Sequence, residues 1–214
     1  MSRRVVIPEL LDHLPADDPA ARRSRRDLRR INFLMGNERW VCRTVSQFQN
    51  EANRGIVEIG AGDGLLCNKL AELFPQAEVA AYDLAPAPVD LPARISWHRG
   101  DIFAMPAPAS GGVLVANLFL HHFEGDALTA LGHWFKNFEV LVINEPDRAT
   151  LPHVLGGWLH PLINRVTRHD MHASIRAGFE AGEVIRMLGL DPARWRFRES
   201  CTWHGARRVV VSKN

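Results

Sequence analysis

Residues 56 to 64 read Ile-Val-Glu-Ile-Gly-Ala-Gly-Asp-Gly, an apolar stretch running into a turn with glycine at every second position. Gly60 and Gly62 let the main chain leave a strand sharply and let a ligand lie against the backbone without meeting a Cβ. A helix opening after Gly64 adds free amides. Taken alone, such a turn is equally a plain strand-to-helix connection. Three neighbouring positions point to a ligand and to its kind. Leu65 stands where the dinucleotide fingerprint places its third glycine. Glu58, two residues before Gly60, repels a diphosphate and suits a cation. Asp83 closes the next apolar segment, where a carboxylate can accept hydrogen bonds from two ribose hydroxyls. These residues describe a nucleoside that carries positive charge and no phosphate.

The second group with chemical potential is His121-His122, which follows the fourth apolar segment. An imidazole titrates near neutrality and can remove a proton from a hydroxyl. His169 and His172 share a helix face at i and i+3. The chain has neither an H-E-x-x-H string nor a C-x-x-C pair among Cys42, Cys67 and Cys201, so no metal site is expected. Asp101, after Gly100, is either a turn-initiating aspartate or a ligand contact.

These residues need elements to hold them. Strands are predicted at 56–59, 78–83, 95–98, 113–116 and 139–143, with helices after Gly64 and over 126–135. Strands separated by helices and crossovers favour a doubly wound, mostly parallel sheet. Trp195 to Cys201 and Arg207 to Val211 predict a C-terminal antiparallel hairpin. Residues 1–52 read as an N-terminal helical cap and 53–214 as the sheet domain. In the cap, Asp17-Asp18-Pro19 starts one helix, with Leu28, Ile31, Leu34 and Met35 at helical spacing. A second runs through Trp40, Val41, Val45 and Phe48. Near the end, Thr167-Arg168-His169-Asp170 predicts the start of a helix continuing through Phe179 and Leu188 to Gly189. Leu151 to Val166, with His153, Trp158, Leu159, His160 and Leu162, reads as an apolar pocket wall or a core helix.

Composition agrees with a folded core. Of 214 residues 46% are hydrophobic and 23% charged, which excludes dominant disorder and coiled coil. No apolar run approaches the roughly 18 residues of a membrane span. Pro8, Glu9 and Asp12 interrupt any leader-peptide core after Arg3-Arg4, and the scattered cysteines suit a reducing cytoplasm. A formal charge of +2 does not by itself call for a polyanionic partner. Arg22, Arg23, Arg25, Arg26, Arg29 and Arg30 cluster on the first long helix. No aromatic residue is interleaved for base stacking, so a solvated face is expected over a nucleic-acid surface.

In these residues the chain resembles the class I S-adenosylmethionine-dependent methyltransferases, most closely over residues 50 to 145. The family's acidic residue before G-x-G-x-G stands as Glu58 to Gly64. Its acidic end of the second strand matches Asp83, its Gly-Asp matches Gly100-Asp101-Ile102, and its fourth-strand motif is similar to residues 117–123. The resemblance implies S-adenosylmethionine as cofactor. Gly60, Ala61 and Gly62 would lie along its methionine end, with Glu58 supporting that end electrostatically. Asp83 would hold the ribose, Leu84 would flank adenine, Asp101 and Ile102 would hydrogen-bond it, and Asn117 would place a carbonyl near the ammonium. His121 matches the family's histidine base, while related chains use such pairs only to shape the pocket. The strings at 143–146 and 167–170 resemble bacterial enzymes near polyketide or quinone pathways. The acceptor implied is a small aromatic or lipophilic hydroxyl compound. The alternatives are a nucleic-acid methyltransferase docking through the arginine run, a non-catalytic cofactor-binding subunit and a nicotinamide oxidoreductase. The proline-rich stretch after Asp101 departs from the family by leaving little room for a helix before the fourth strand.

Overall fold

The structure, a computed structural model, describes residues 3–15, 17–108, 111–149 and 163–214. Its centre is a run of short segments too apolar to face water on either side. β1 (Ile56–Ile59) is buried at all four positions and pairs in parallel with β2 (Val79–Asp83) and β4 (Gly111–Asn117). β3 (Ile95–Arg99) extends the sheet beyond β2, and β5 (Phe138–Pro146) extends it beyond β4. The C-terminal strands β6 (Trp195–Cys201) and β7 (Ala206–Lys213) form the expected hairpin, with β7 antiparallel to β5. The order is β3-β2-β1-β4-β5-β7-β6. The edge strand β6 is mostly exposed and carries Arg196, Arg198 and Glu199, charges that discourage pairing with another chain.

Alternation along the strands sorts the helices between the two faces. Ile56, Val113 and Val115 pack against Val41 and Val45 of α3 (Asn37–Val45) and Leu66 and Leu70 of α5 (Leu65–Leu73). Val57, Ile59 and Leu114 pack against Leu128, Leu131 and Phe135 of α6 (Asp126–Phe135) on the opposite face. The strand order reverses between β1 and β4. A doubly wound sheet opens a crevice for ligands at the carboxyl ends of strands at such a point. Here it sets the glycine turn after β1 beside the segment after β4. Two short helices complete the N-terminal part, α1 (Leu10–His13) and α4 (Gln49–Ala52). Among the described residues no helix is long and apolar enough to cross a membrane.

Two expectations change. α2 (Pro19–Met35) starts at Asp18, whose side chain accepts from the Ala20 and Ala21 amides, but its buried residues are Ala21, Ser24 and Asp27. The apolar spacing led to Leu34, which is 76% exposed. The buried face is polar because Asp27 accepts hydrogen bonds from the Asn164 amide and the Thr167 hydroxyl. The single helix predicted from Thr167 to Gly189 is two, α7 (Arg165–Ala177) and α8 (Glu183–Met187). α7 starts ahead of Thr167, capped by Asn164, whose side chain accepts from the Thr167 amide. The helix breaks at Gly178, where a Cβ would lie 2.4 Å from the Pro146 carbonyl. Phe179 then runs extended beside β5, donating its amide to that carbonyl. Its apolar side chain belongs to the core and mimics helical periodicity. Among the described residues the segment after Asp101 holds only a 3₁₀ turn, Ile102–Ala104, before β4, in keeping with its prolines. The proposed wall residues His153, Trp158, Leu159, His160 and Leu162 lie outside the described residues.

Gly132 reports on the packing of α6. In an exposed helix, alanine would be favoured over glycine by about 0.8–1.0 kcal/mol. A Cβ at Gly132, however, would sit 1.7 Å from the Leu188 carbonyl oxygen. Gly132→Ala is therefore expected to destabilise the protein by about 1–3 kcal/mol in denaturant unfolding, as overpacking does. A gain in stability would contradict this packing of α6 against the end of α8.

Candidate functional site

The glycine turn is built on left-handed backbone. Gly60 has φ +66° and Gly62 φ +56°, conformations that side-chain-bearing residues rarely adopt. The reasons for glycine differ at the two positions. A Cβ on Gly60 would meet the Phe119 ring at 2.2 Å, whereas one on Gly62 would find nothing within 4 Å. Phe119, after β4, thus lies directly against the turn after β1. Asp83 fastens the turn to the end of β2. Its Oδ2 accepts from the Gly62 amide at 2.7 Å and its Oδ1 from the Ala85 amide at 2.8 Å. Arg29 of α2 reaches the same turn through an exposed ion pair with Asp63 at 3.8 Å.

Glu58 lies under this turn and is 3% exposed. Its Oε2 has no hydrogen-bond partner among the described residues. Burial, reinforced by the negative charge of Asp63, pushes its carboxyl well above the usual glutamate range. A buried, unpartnered carboxyl oxygen is costly unless something satisfies it. The residues at the rim have less demanding surroundings. Leu84 is 73% exposed, an apolar side chain open to a flat ligand. Asp101 accepts from the Phe103 amide at 3.0 Å and so caps the 3₁₀ turn that begins with buried Ile102. Its turn-initiating role is present, and a carboxylate retains lone pairs for a further donor. Asn117 ends β4, its Oδ1 accepting from Asn144 Nδ2 of β5 at 2.9 Å.

After Asn117 the chain changes direction through Leu118, a non-glycine residue at φ 56°. Its amide donates to the Asn144 carbonyl at 2.8 Å, which holds the unfavourable conformation in place. A second 3₁₀ turn, Leu120–His122, follows. Its free amides meet Glu145 near the end of β5. One carboxylate oxygen accepts from the Phe119 and Leu120 amides at 2.9 and 2.7 Å. The other accepts from the His121 amide at 3.3 Å and from His121 Nδ1 at 2.8 Å. Glu145 is fully buried. Because the carboxylate can only accept, Nδ1 carries the hydrogen and Nε2 faces away from β5.

Nε2 of His121 meets a second carboxylate, Glu9, at 3.5 Å. Burial works against the charged imidazole, but hydrogen bonds to Glu145 and Glu9 outweigh it and push the pKa up to about 9. Burial also raises the Glu9 carboxyl, but its bond to His121 brings it below the ordinary glutamate value. The His122 ring packs on His121 with centroids 4.3 Å apart. Burial and the neighbouring His121 charge lower the His122 pKa. Glu9, His121 and His122 each present a ligand atom within 4.8 Å of the others, an arrangement that spacing did not reveal. His169 and His172 instead border a cleft with Ile7, Ala173 and Arg176 on α7.

The structure brings together Glu58, the glycine turn, Asp83 and the segment after Asn117. It adds three residues that sequence reasoning had not placed at the site. Phe119 and Glu145 were visible only inside longer strings. Glu9, in a stretch read as merely interrupting an apolar run, carried no signal of its own.

Comparison with known proteins bears on the architecture. No protein-family model matches the chain. Mouse acetylserotonin O-methyltransferase is 29% identical over 133 residues, covering 54% of this chain and 34% of that protein. The match thus spans about a third of the relative's length. The plantazolicin methyltransferase BpumL, solved with a triazolic desmethyl analogue and S-adenosylhomocysteine, superposes with a TM-score of 0.75. It has 13% identity and covers 92% of each chain. Human N-acetylserotonin methyltransferase, solved with S-adenosylmethionine, gives 0.54 at 14% identity, covering 95% of this chain and 61% of that one. With its strand order, hairpin and glycine turn, the chain has the class I methyltransferase fold of these proteins.

Proposed function

We propose that this protein transfers a methyl group from S-adenosylmethionine to the hydroxyl of a small aromatic or lipophilic acceptor. The observation that carries the reading is the unpartnered, buried carboxyl oxygen of Glu58 beneath a left-handed glycine turn. That position disfavours a diphosphate and suits a ligand with positive charge. The similar proteins with S-adenosylmethionine or its demethylated product bound support the same cofactor.

On this reading the glycine turn of Gly60, Ala61 and Gly62 lies along the methionine end, and Glu58 ionises to face its charge. Asp83 receives the ribose hydroxyls with lone pairs its two amide bonds leave over. Leu84, Asp101 and Ile102 hold adenine, and the Asn117 carbonyl receives the ammonium. When bound, the cofactor supplies an activated methyl group on a sulfonium whose departure leaves a neutral thioether. The protein's task is to align the acceptor, exclude water and take up the hydroxyl proton. His121 takes that proton at Nε2, while Glu145 fixes the ring through Nδ1. The aromatic pair Phe119 and Phe123, with centroids 4.9 Å apart, supplies an apolar flank.

Calorimetry on the ligand-free protein tests the cofactor directly: S-adenosylmethionine should bind and NADH should not, and the reverse would overturn the reading. Asp83→Ala should weaken cofactor binding by about 1–3 kcal/mol, as loss of hydrogen bonds to a charged group does. Wild-type affinity would remove Asp83 from the ribose site.

Glu58 adds a pH test whose sign is fixed. Burial holds its folded-state pKa well above the ordinary glutamate value of 4.5, so folding favours the protonated form. The linked stabilisation is present below pH 4.5 and declines as pH rises above it. Glu58→Gln should therefore gain stability over wild type at pH 7.5 and lose that advantage near pH 4.5, read as denaturation midpoints. The same substitution should weaken the cofactor. In wild type, binding should release protons, seen as a dependence of the heat on buffer ionisation. Absence of proton release would sink the proposed ion pair.

Once an acceptor is in hand, His121→Ala should lower kcat by about 10²-fold or more, the scale of general-base contributions, with cofactor affinity kept. An unchanged rate would reduce His121 to shaping the pocket.

A further inference from the structure

The base assigned above faces a difficulty in the structure itself. With a carboxylate on each ring nitrogen, His121 is protonated at neutral pH and has no lone pair to offer. The second carboxylate comes from outside the sheet, on an N-terminal segment laid across α7. Arg4 donates through Nε to the Ala177 carbonyl at 2.7 Å and through Nη2 to the His121 carbonyl at 3.1 Å. Its guanidinium also lies 4.6 Å from the centre of the Phe179 ring. The Val5 amide donates to the Arg176 carbonyl at 3.3 Å. Asp170 of α7 accepts from the Leu10 and Leu11 amides at 2.7 and 3.1 Å, capping α1 instead of its own helix. Ser174 hydrogen-bonds the Glu9 carboxylate.

We propose that Glu9, carried on this strap of residues 3–13, is the gate residue of the acceptor site and occupies the Nε2 face of His121 until an acceptor hydroxyl replaces it. The inference rests on His121 being the base. It explains how one histidine can be held in a fixed orientation and still become reactive. Glu145 is built into β5 and is bonded to three main-chain amides, so it stays. Glu9 is held by a side-chain bond to Ser174 and by a strap resting on another element, so it can leave. When the strap lifts, the imidazolium loses one of its two carboxylates and releases its Nε2 proton to water. The neutral ring takes the acceptor's hydroxyl proton as the oxygen–methyl bond forms and the methyl–sulfur bond breaks. Charge passes from the sulfonium to His121, and the restored imidazolium attracts Glu9 back as product leaves.

The other ionisable groups around His121 do not substitute for Glu9. His122 beside it adds positive charge and opposes protonation. The carboxyl of Asp12 on α1 is pushed up by burial, with His122 opposing the rise and the neighbouring Glu9 and Asp170 adding to it. Arg4 touches the His121 carbonyl but not its ring. Among the described residues, Glu9 is the one carboxylate within ion-pair distance, 3.5 Å, of the nitrogen that would meet an acceptor.

The test needs no acceptor. Diethyl pyrocarbonate acylates neutral imidazole, and tandem mass spectrometry of the full-length protein's peptides resolves His121 from His122. In wild type, acylation of His121 should follow a pKa of about 9 and be slow at pH 7. Glu9→Gln, checked for native circular dichroism, should shift that pKa down by about one unit or more. It should thereby speed the reaction at pH 7 by about tenfold for each unit. Ser174→Ala should move both readings the same way by less, and it remains informative if Glu9→Gln folds poorly. Equal rates and pKa values in wild type and variants would overturn the proposal. So would acceleration of the wild type by EDTA alone, which would give Glu9, His121 and His122 to a bound metal. Cofactor calorimetry on Glu9→Gln separates the two readings. A shifted His121 without cofactor binding retires the methyltransferase reading and leaves the strap contact intact. Cofactor binding with an unshifted His121 retires only the gate.

Discussion

The structure around the site depends on one buried carboxylate. Glu145 sits at the end of β5 with no exposure and gathers three consecutive main-chain amides together with the Nδ1 hydrogen of His121. An ion in that position would be expensive to desolvate, and it persists because four donors satisfy it. In return it locks the segment after β4 into a single path. That path begins with Leu118 in the left-handed region, a conformation that the sheet enforces through the Asn144 carbonyl. It ends with the imidazole presented at the carboxyl edge of the sheet. Remove the side chain and the amides of a turn buried against β5 lose their acceptor together.

The same geometry relates the two halves of the site. β1 and β4 are neighbours at the reversal of strand order, so the turns that follow them must share one crevice. Phe119 is the contact between them, its ring filling the space where a Cβ on Gly60 would be. The two buried glutamates therefore have contrasting surroundings within one crevice. Glu145 is saturated with donors and serves to position a ring. Among the described residues Glu58 has an oxygen left without any, and its environment favours the neutral form. Full satisfaction suits a structural carboxylate, and incomplete satisfaction suits one that awaits a ligand.

What the sequence made legible follows from how local each signal is. The parallel strands could be read because segments such as Val113 to Ala116 are apolar without alternation and are bounded by turn residues. The glycine turn was legible because its chemistry is contained in eight consecutive residues. His121 was legible as an imidazole after a strand, but its protonation was not. That depends on Glu145, 24 residues away, and on Glu9, 112 residues earlier. Periodicity failed where a polar side chain took a buried position. Asp27 and Ser24 of α2 face inward because α7 offers them an amide and a hydroxyl, and no pattern within α2 announces that partner. It failed again at Phe179, where spacing alone could not separate a helix from a break followed by one core aromatic in extended chain.

The charge balance at His121 links fold to mechanism more tightly than the pocket outline does. A histidine between two carboxylates gains orientation and loses basicity, and these effects cannot both serve catalysis while the arrangement is static. The conflict is resolved only if the two carboxylates differ in permanence. They do differ in attachment: Glu145 belongs to a central strand with six of its register partners on β4, whereas Glu9 belongs to a strap secured to α7 by side-chain contacts and one main-chain bond. The part of the molecule that stabilises the imidazole's orientation is thus the rigid one. The part that suppresses its reactivity is held by hydrogen bonds and an ion pair, and its helix α1 adds no buried residue to the core. Local stability tracks buried apolar contact, so the strap belongs among the elements that open before the sheet does.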